Sequence, residues 1–198
     1  NHEWIDKINQ MQLIIVPSKF TKQTFEDTAK QHNKIITTNI QVVSEYFDDK
    51  VYDSKNITTT VAGLSDISET NAFLICGHWL QGSVGEDRKN ISGALHCFFN
   101  TFKGKKNQPA LVIKTSGATY SVTDRLGIEN KIGQIRDMFP AEKHKLPAVY
   151  LIHGDLTNAE MNALYNHKKI KAMISFTKGE GFGRPLLEFS TTGKPIIA

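Results

Sequence analysis

The residues most capable of chemistry lie at 178–188, Lys-Gly-Glu-Gly-Phe-Gly-Arg-Pro-Leu-Leu-Glu, where Glu180 and Glu188 flank a glycine-rich turn. Gly179, Gly181 and Gly183 can take positive φ and let a ligand approach the backbone with no Cβ in the way. Pro185 suits the first turn of a helix, where its missing N–H costs nothing. The free N–H groups and dipole of such a helix start favour an anion such as a phosphate. Glu188 falls about one turn in, and helical side chains lean toward the N-terminus, so its carboxylate can reach the mouth of the turn. A carboxylate repels phosphate, so its natural partners there are hydroxyls, such as the neighbouring pair of a ribose. Glu180, ahead of the helix, can reach a second polyol. The same spacing also fits an ordinary tight turn with a helix-favouring glutamate. It is neither the dinucleotide fingerprint nor a P-loop, which would end in Gly-Lys-Ser/Thr.

The rest of the chain must position this turn. With 198 residues, 39% apolar and 22% charged, it reads as globular and soluble, long enough for one domain or pieces of two. A net charge of +4, with no Lys/Arg block, is too mild to imply nucleic acid but suits a small anionic ligand. Cys76 and Cys97 each lie in an apolar run and read as buried thiols of a reducing, cytoplasmic compartment. No apolar stretch reaches membrane-spanning length. The first residue is Asn1, no signal peptide is visible, and the last residues, Ile196-Ile197-Ala198, read as strand, so a segment of a longer protein is expected.

Short apolar runs at 12–17, 35–44, 72–77, 110–113, 148–152, 172–174 and 195–197 read as strands. Between them lie helical patterns: Ser18 as a cap with Phe20 and Phe25 as anchors; Ile91, Ala94, Leu95, Phe98, Phe99 and Phe102 as an apolar stripe; Ile128, Ile132, Ile135 and Phe139 as another. Thr157 and Glu160 have the spacing of a capping box. From Ser44 to about Thr70 the pattern dissolves into polar residues, a linker with at most one short strand. Alternating strands and helices, with near-continuously apolar strands, predict a Rossmann-like α/β fold: a parallel sheet covered by helices on both faces. Ligands of such sheets bind beyond the carboxyl ends of the strands, which is where the 178–188 turn falls.

The run Glu-Gly-Phe-Gly-Arg-Pro-Leu-Leu-Glu-Phe-Ser-Thr-Thr-Gly-Lys-Pro-Ile-Ile-Ala, 180–198, resembles the donor-site motif of retaining GT-B glycosyltransferases, the group 1 family that includes sucrose- and glycogen-synthase relatives. Upstream, residues 4–21, ending Val-Pro-Ser-Lys-Phe-Thr, are similar to the last strand–helix unit of that family's N-terminal domain. Residues 73–98 are similar to the opening strand and helix of its C-terminal domain. The resemblance implies the end of an acceptor-side domain and linker at 1–65 and a nucleotide-sugar-binding domain, itself truncated, at 66–198. It implies transfer of a sugar from a UDP- or GDP-linked donor to a glycan, lipid or protein acceptor with retained anomeric configuration. No metal or other cofactor is implied. Donor binding without efficient transfer is expected of these residues alone.

By position in the motif, Glu188 is expected at the ribose and Glu180 at the transferred sugar, with the backbone of Gly181, Phe182 and Gly183 near sugar and diphosphate. Lys89 matches the helix lysine that neutralises the leaving diphosphate, with Arg88 beside it as a substitute. The family's arginine after the first-strand glycine is replaced by His78, a less certain cation of shorter reach, for which Arg88 or Arg184 would compensate. Lys114, Thr115, Ser116 and Gly117, at a strand end, could line the nucleotide pocket, and His153 ends the next strand at the same rim. His96 reads as packing, and His2, His32, His144 and His167 show no metal spacing. Asn56-Ile57-Thr58 and Asn90-Ile91-Ser92 match the short glycosylation pattern. Two rival functions are a nucleotide-sugar-binding module without turnover and a dinucleotide-dependent oxidoreductase. The lack of Gly-x-Gly-x-x-Gly after the 72–77 strand disfavours the latter.

Overall fold

A computed structural model describes residues 1–80 and 84–198, apart from the side chains of 142–144, so His144 lies outside the described residues. The chain forms two compact units, Asn1–Phe47 and Asp48–Ala198. In the first, helix α1 (Glu3–Ile8), strand β1 (Leu13–Val16), helix α2 (Lys19–Gln31) and strand β2 (Asn39–Val42) follow in order. β1 and β2 pair in parallel, Leu13 opposite Asn39 and Val16 opposite Val42. Ser18 caps α2 by accepting from Thr21 N. The small core joins Ile5, Ile8, Val16, Ala29 and Ile40, with Phe25 packed against it. Phe20, expected as an anchor, is 80% exposed, and the expected buried strand β1 leaves Leu13 and Ile15 open. A two-stranded sheet with a helix layer covers only part of what an apolar run offers.

The second unit alternates strand and helix throughout: β3 (Ala72–Cys76), α3 (Ile91–Phe102), β4 (Ala110–Lys114), α4 (Val122–Asp137), β5 (Val149–Ile152), α5 (Asn158–Asn166), β6 (Ile170–Ile174), α6 (Arg184–Ser190) and β7 (Ile196–Ile197). The strand order is β5-β4-β3-β6-β7, every pair parallel. Successive strand residues face opposite sides of a sheet. Leu111 and Ile113 pack with Leu95, Phe98 and Phe99 of α3 and Ile128, Ile132 and Ile135 of α4. Their neighbours Ala110 and Val112, turned the other way, are 0% exposed as well, so both faces are covered. α3 presents its predicted stripe inward. Its N-terminal turn is held by Asp87, which accepts from Ile91 N and the Ser92 hydroxyl. Ser92 is thereby buried, and Asn90, the acceptor position of the 90–92 glycosylation pattern, is half-buried. The Thr157/Glu160 capping box forms as read from the sequence.

The stretch 44–70 holds no strand, only a 3-10 turn at Ser54–Asn56. It is more than a linker. Tyr52, Val61, Leu64 and Ile67 are buried, and Asn162 donates to Asp53 O at 2.9 Å. Residues 48–65, grouped by sequence with the first domain, therefore pack onto the second unit. Their scattered apolar residues carry no period that would have shown this. Cys97, expected to be buried, is exposed on α3, and Cys76 is partly exposed; both are free thiols. No helix among the described residues is long and apolar enough to cross a membrane.

Candidate active site

From β3 the chain runs outward through β4 and β5, then returns to the other side of β3 for β6. The loops leaving β3 and β6 therefore diverge and open a crevice at the carboxyl ends of the strands, the usual ligand position in such a sheet. Both candidate motifs are in these two loops: 77–90 after β3 and 175–183 after β6.

The loops are stitched together. Arg88 O accepts from Lys178 N at 2.9 Å, and the Lys178 ammonium donates to Gly85 O. Arg88 Nη1 donates to Gly179 O at 2.6 Å and stands 3.8 Å from Glu180 Oε2. The Lys89 ammonium forms an ion pair with Glu180 Oε1. The pair is only partly open to water, 14% and 21% exposed, whereas Arg88 is 63% exposed. Gly77 explains how Lys89 reaches across: the lysine stem lies along it, and a Cβ there would stand 3.4 Å from Lys89 Cδ. The expected charge pattern is thus assembled as cation–carboxylate pairs.

Glu188 is 6% exposed, and both of its oxygens are engaged. Oε2 accepts from Tyr165 Oη at 3.0 Å and Oε1 from Arg184 Nε at 3.0 Å. Burial, reinforced by Glu188 nearby, pushes the Tyr52 phenol up to about 12. Burial, with Cys76 and Glu188 adding to it, holds Tyr165 well above the usual phenol range. Both therefore keep their protons at neutral pH. In the sequence Tyr165 is visible only as an inward residue of α5; nothing in the spacing shows where its hydroxyl points. Arg184, expected as a cation for diphosphate, is here the solvent-side partner of Glu188.

Of the three turn glycines only Gly183 has positive φ, 80°, where it caps α6. A Cβ at Gly179 or Gly181 would meet nothing within 4 Å. Gly183→Ala is accordingly expected to lose about 1–2 kcal/mol of stability to left-handed strain, while Gly179→Ala and Gly181→Ala shift a urea midpoint little. Phe182 is half-buried beside them. α6 has only seven residues, so it sums few peptide dipoles. The cations gathered beside it are Lys89 and Arg88, both next to Glu180.

At the neighbouring rim, exposed His78 shares a 3.0 Å hydrogen bond between Nδ1 and Ser116 Oγ. Thr115 does not line the crevice: it is 1% exposed, its N–H donating to Ile152 O at 3.1 Å, because it continues the β4–β5 ladder by one residue. Lys114 is drawn to the Tyr120 ring, 5.8 Å away. His153 is a structural residue. Its Nε2 bonds Asp124 Oδ2 at 2.8 Å, and Asp124 also accepts from Gly117 N at 2.8 Å and Ala118 N at 3.2 Å. The His153 hydrogen bond, then these backbone donors, holds the Asp124 carboxyl below its usual range. His96 packs on Phe139, ring centres 5.0 Å apart. A cleft of about 400 Å³ between the β3 and β4 loops is lined by Leu80, Gly117, Ala118, Thr119 and Lys131. A larger one, about 800 Å³, lies at the amino ends of the strands around Asn71, Phe73 and Pro109, away from every candidate residue.

The sequence matches no protein-family profile and no curated protein. The fold does match solved structures. Trehalose-6-phosphate synthase OtsA aligns with a TM-score of 0.66 and 8% identity over 96% of this chain and 44% of that one. A UDP-forming α,α-trehalose-phosphate synthase from Burkholderia xenovorans gives 0.65 and 15%, over 96% and 46%. Anabaena HepE, solved with UDP and glucose, gives 0.60 and 15%, over 99% and 47%. The chain thus spans less than half the length of the structures it matches, and its architecture is the α/β GT-B fold.

Proposed function

We propose that the second unit binds a nucleoside-diphosphate sugar and that the chain is part of a retaining glycosyltransferase. The observation that carries this reading is the Lys89–Glu180 ion pair, with Arg88 beside it, across the crevice where the strand order reverses. A diphosphate and a sugar are the two halves of one ligand that would split such a pair. The diphosphate takes Lys89 and Arg88; Glu180, released, accepts from sugar hydroxyls; Glu188 accepts from the ribose. As the glycosidic bond breaks, negative charge builds on the leaving diphosphate, where a fixed cation in a partly dry crevice lowers the barrier most. Side-chain cations make a metal unnecessary in this reading. Attack by the acceptor on the face that the diphosphate leaves would retain configuration.

UDP- or GDP-linked sugars both suit the site. The motif at 180–198 favours the group 1 family, while the similar solved structures are trehalose-phosphate synthases and HepE. Glycan, lipid and protein acceptors are all compatible with it. Free Cys76 and Cys97 suit a reducing, cytoplasmic setting.

Glu180→Gln tests the exchange. Removing the carboxylate's charge frees Lys89, so UDP or GDP without sugar should bind more tightly by about 1 kcal/mol, roughly fivefold. The extra affinity contributed by the sugar should fall at the same time. Calorimetry with UDP, GDP, UDP-glucose and GDP-mannose reads both; unchanged affinities for all four would remove the role of Glu180. A second reading, donor binding without turnover, is favoured by His78, whose ring is already bonded to Ser116. Donor binding with no hydrolysis or transfer, in a protein that includes the partner domain, would select it.

A further inference from the structure

We infer that Tyr165 is a positioning residue for the nucleotide, holding the Glu188 carboxylate in the orientation that receives the ribose hydroxyls; the inference rests on the ribose role proposed above for Glu188. Besides the buried Tyr52 phenol, which also hydrogen-bonds Glu188, two donors meet this carboxylate and differ in kind. Arg184 reaches Oε1 from the solvent side, with 51% of its side chain exposed. Tyr165 reaches Oε2 from the core and is 0% exposed. A ligand arriving from solvent displaces the exposed arginine, whereas the buried phenol stays. An ionised carboxylate offers about four lone-pair sites. With one of them committed to Tyr165, rotation about the last side-chain bond is stopped and the others keep a set direction.

Tyr165 is itself fixed from three sides. The capping box at Thr157 and Glu160 starts its helix. Its ring meets Phe189, the residue after Glu188, edge to face at 5.7 Å and 86°. The Lys194 ammonium donates to Tyr165 O at 2.7 Å and to His167 O at 3.0 Å, closing the end of α5. Lys194 belongs to the Gly-Lys-Pro part of the 180–198 run. That part of the run thereby anchors the residue that orients the motif's second glutamate.

The test is a ratio. UDP and 2′,3′-dideoxy-UDP, and the corresponding guanine pair, are titrated into the wild-type protein, Tyr165→Phe and Glu188→Gln. The wild type is expected to prefer the ribonucleotide by about tenfold or more, the worth of hydrogen bonds to a charged group. Glu188→Gln should abolish that preference. Tyr165→Phe should reduce it at least threefold, about half of a tenfold effect on a free-energy scale, while leaving the dideoxy affinity unchanged. A merely structural phenol would weaken both nucleotides alike or neither. Full preference in Tyr165→Phe, with loss in Glu188→Gln, overturns the positioning role and leaves the ribose role standing. No preference in the wild type overturns both. Should Tyr165→Phe fail to fold, the wild-type protein labelled with carbon-13 at tyrosine Cζ decides. The Tyr165 signal should move with UDP and not with dideoxy-UDP; no difference between the two overturns the inference.

Discussion

Lys89→Met is expected to lower sugar transfer, read as kcat/KM for donor consumption in a protein that includes the acceptor side, by about a hundred- to a thousandfold, roughly 3–4 kcal/mol. Methionine keeps the unbranched stem that lies along Gly77, so the backbone of the β3 loop is not asked to move. What disappears is a cation that is both largely shielded, at 14% exposure, and aimed at Glu180. Shielding matters because a charge in a partly dry place interacts more strongly with charge developing beside it. Arg88→Met serves as the internal control. That side chain is 63% exposed and 3.8 Å from Glu180, so its loss should cost only about 0.5–1 kcal/mol, a few-fold. No effect from Lys89→Met would mean that the leaving group is neutralised elsewhere, and equal losses from the two substitutions would mean that shielding does not set the size of the effect.

Phe99→Ala should be the most damaging single change to stability among those considered, about 3–5 kcal/mol. Phe99 is 0% exposed, meets Phe139 edge to face at 6.0 Å and carries Arg136 over its ring at 5.1 Å. It sits in the apolar stripe of α3 that presses against β3 and β4, so the cavity would open where the helix holds the sheet. Urea unfolding is the measurement. The midpoint should fall with little change in slope, and Phe102→Ala, at a partly buried position of the same helix, should cost distinctly less. Because Lys89 enters α3 at its N-terminus, donor affinity measured well below the unfolding transition should stay near the wild-type value. A stability loss under about 1 kcal/mol would show that the stripe is not the seam of the core.

The second unit was legible because its signals are local. Five-residue apolar strands, the α3 stripe and the Thr157/Glu160 box each depend on near neighbours, and each appears where the pattern puts it. The first unit was less legible, since burial there depends on how many strands the sheet has: the same kind of apolar run leaves Ile15 62% exposed in a two-stranded sheet. Residues 48–65 have no period at all and bury Tyr52, Val61 and Leu64 one at a time.

The site divides the same way. Glu180 and Glu188 were singled out by residue type and motif spacing, Lys89 by the family resemblance, and the fold brings Lys89 to Glu180. The crevice between them follows from strand order, which no local pattern encodes. Thr115 was misplaced because one further residue of ladder pairing buries its side chain. Tyr165 was missed because a hydroxyl on an inward helix face gives no hint of its partner 23 residues away. The turn glycines also proved unequal, with only Gly183 needing its freedom.

The most direct measurement is a crystal structure of the chain soaked with UDP-glucose or GDP-mannose. The diphosphate should lie against Lys89 and Arg88, the Lys89–Glu180 pair should be parted with Glu180 on a sugar hydroxyl, and Glu188 should hold the ribose while keeping Tyr165. A donor lodged at another surface, or bound in the crevice with the Lys89–Glu180 pair still closed, would contradict the proposed site.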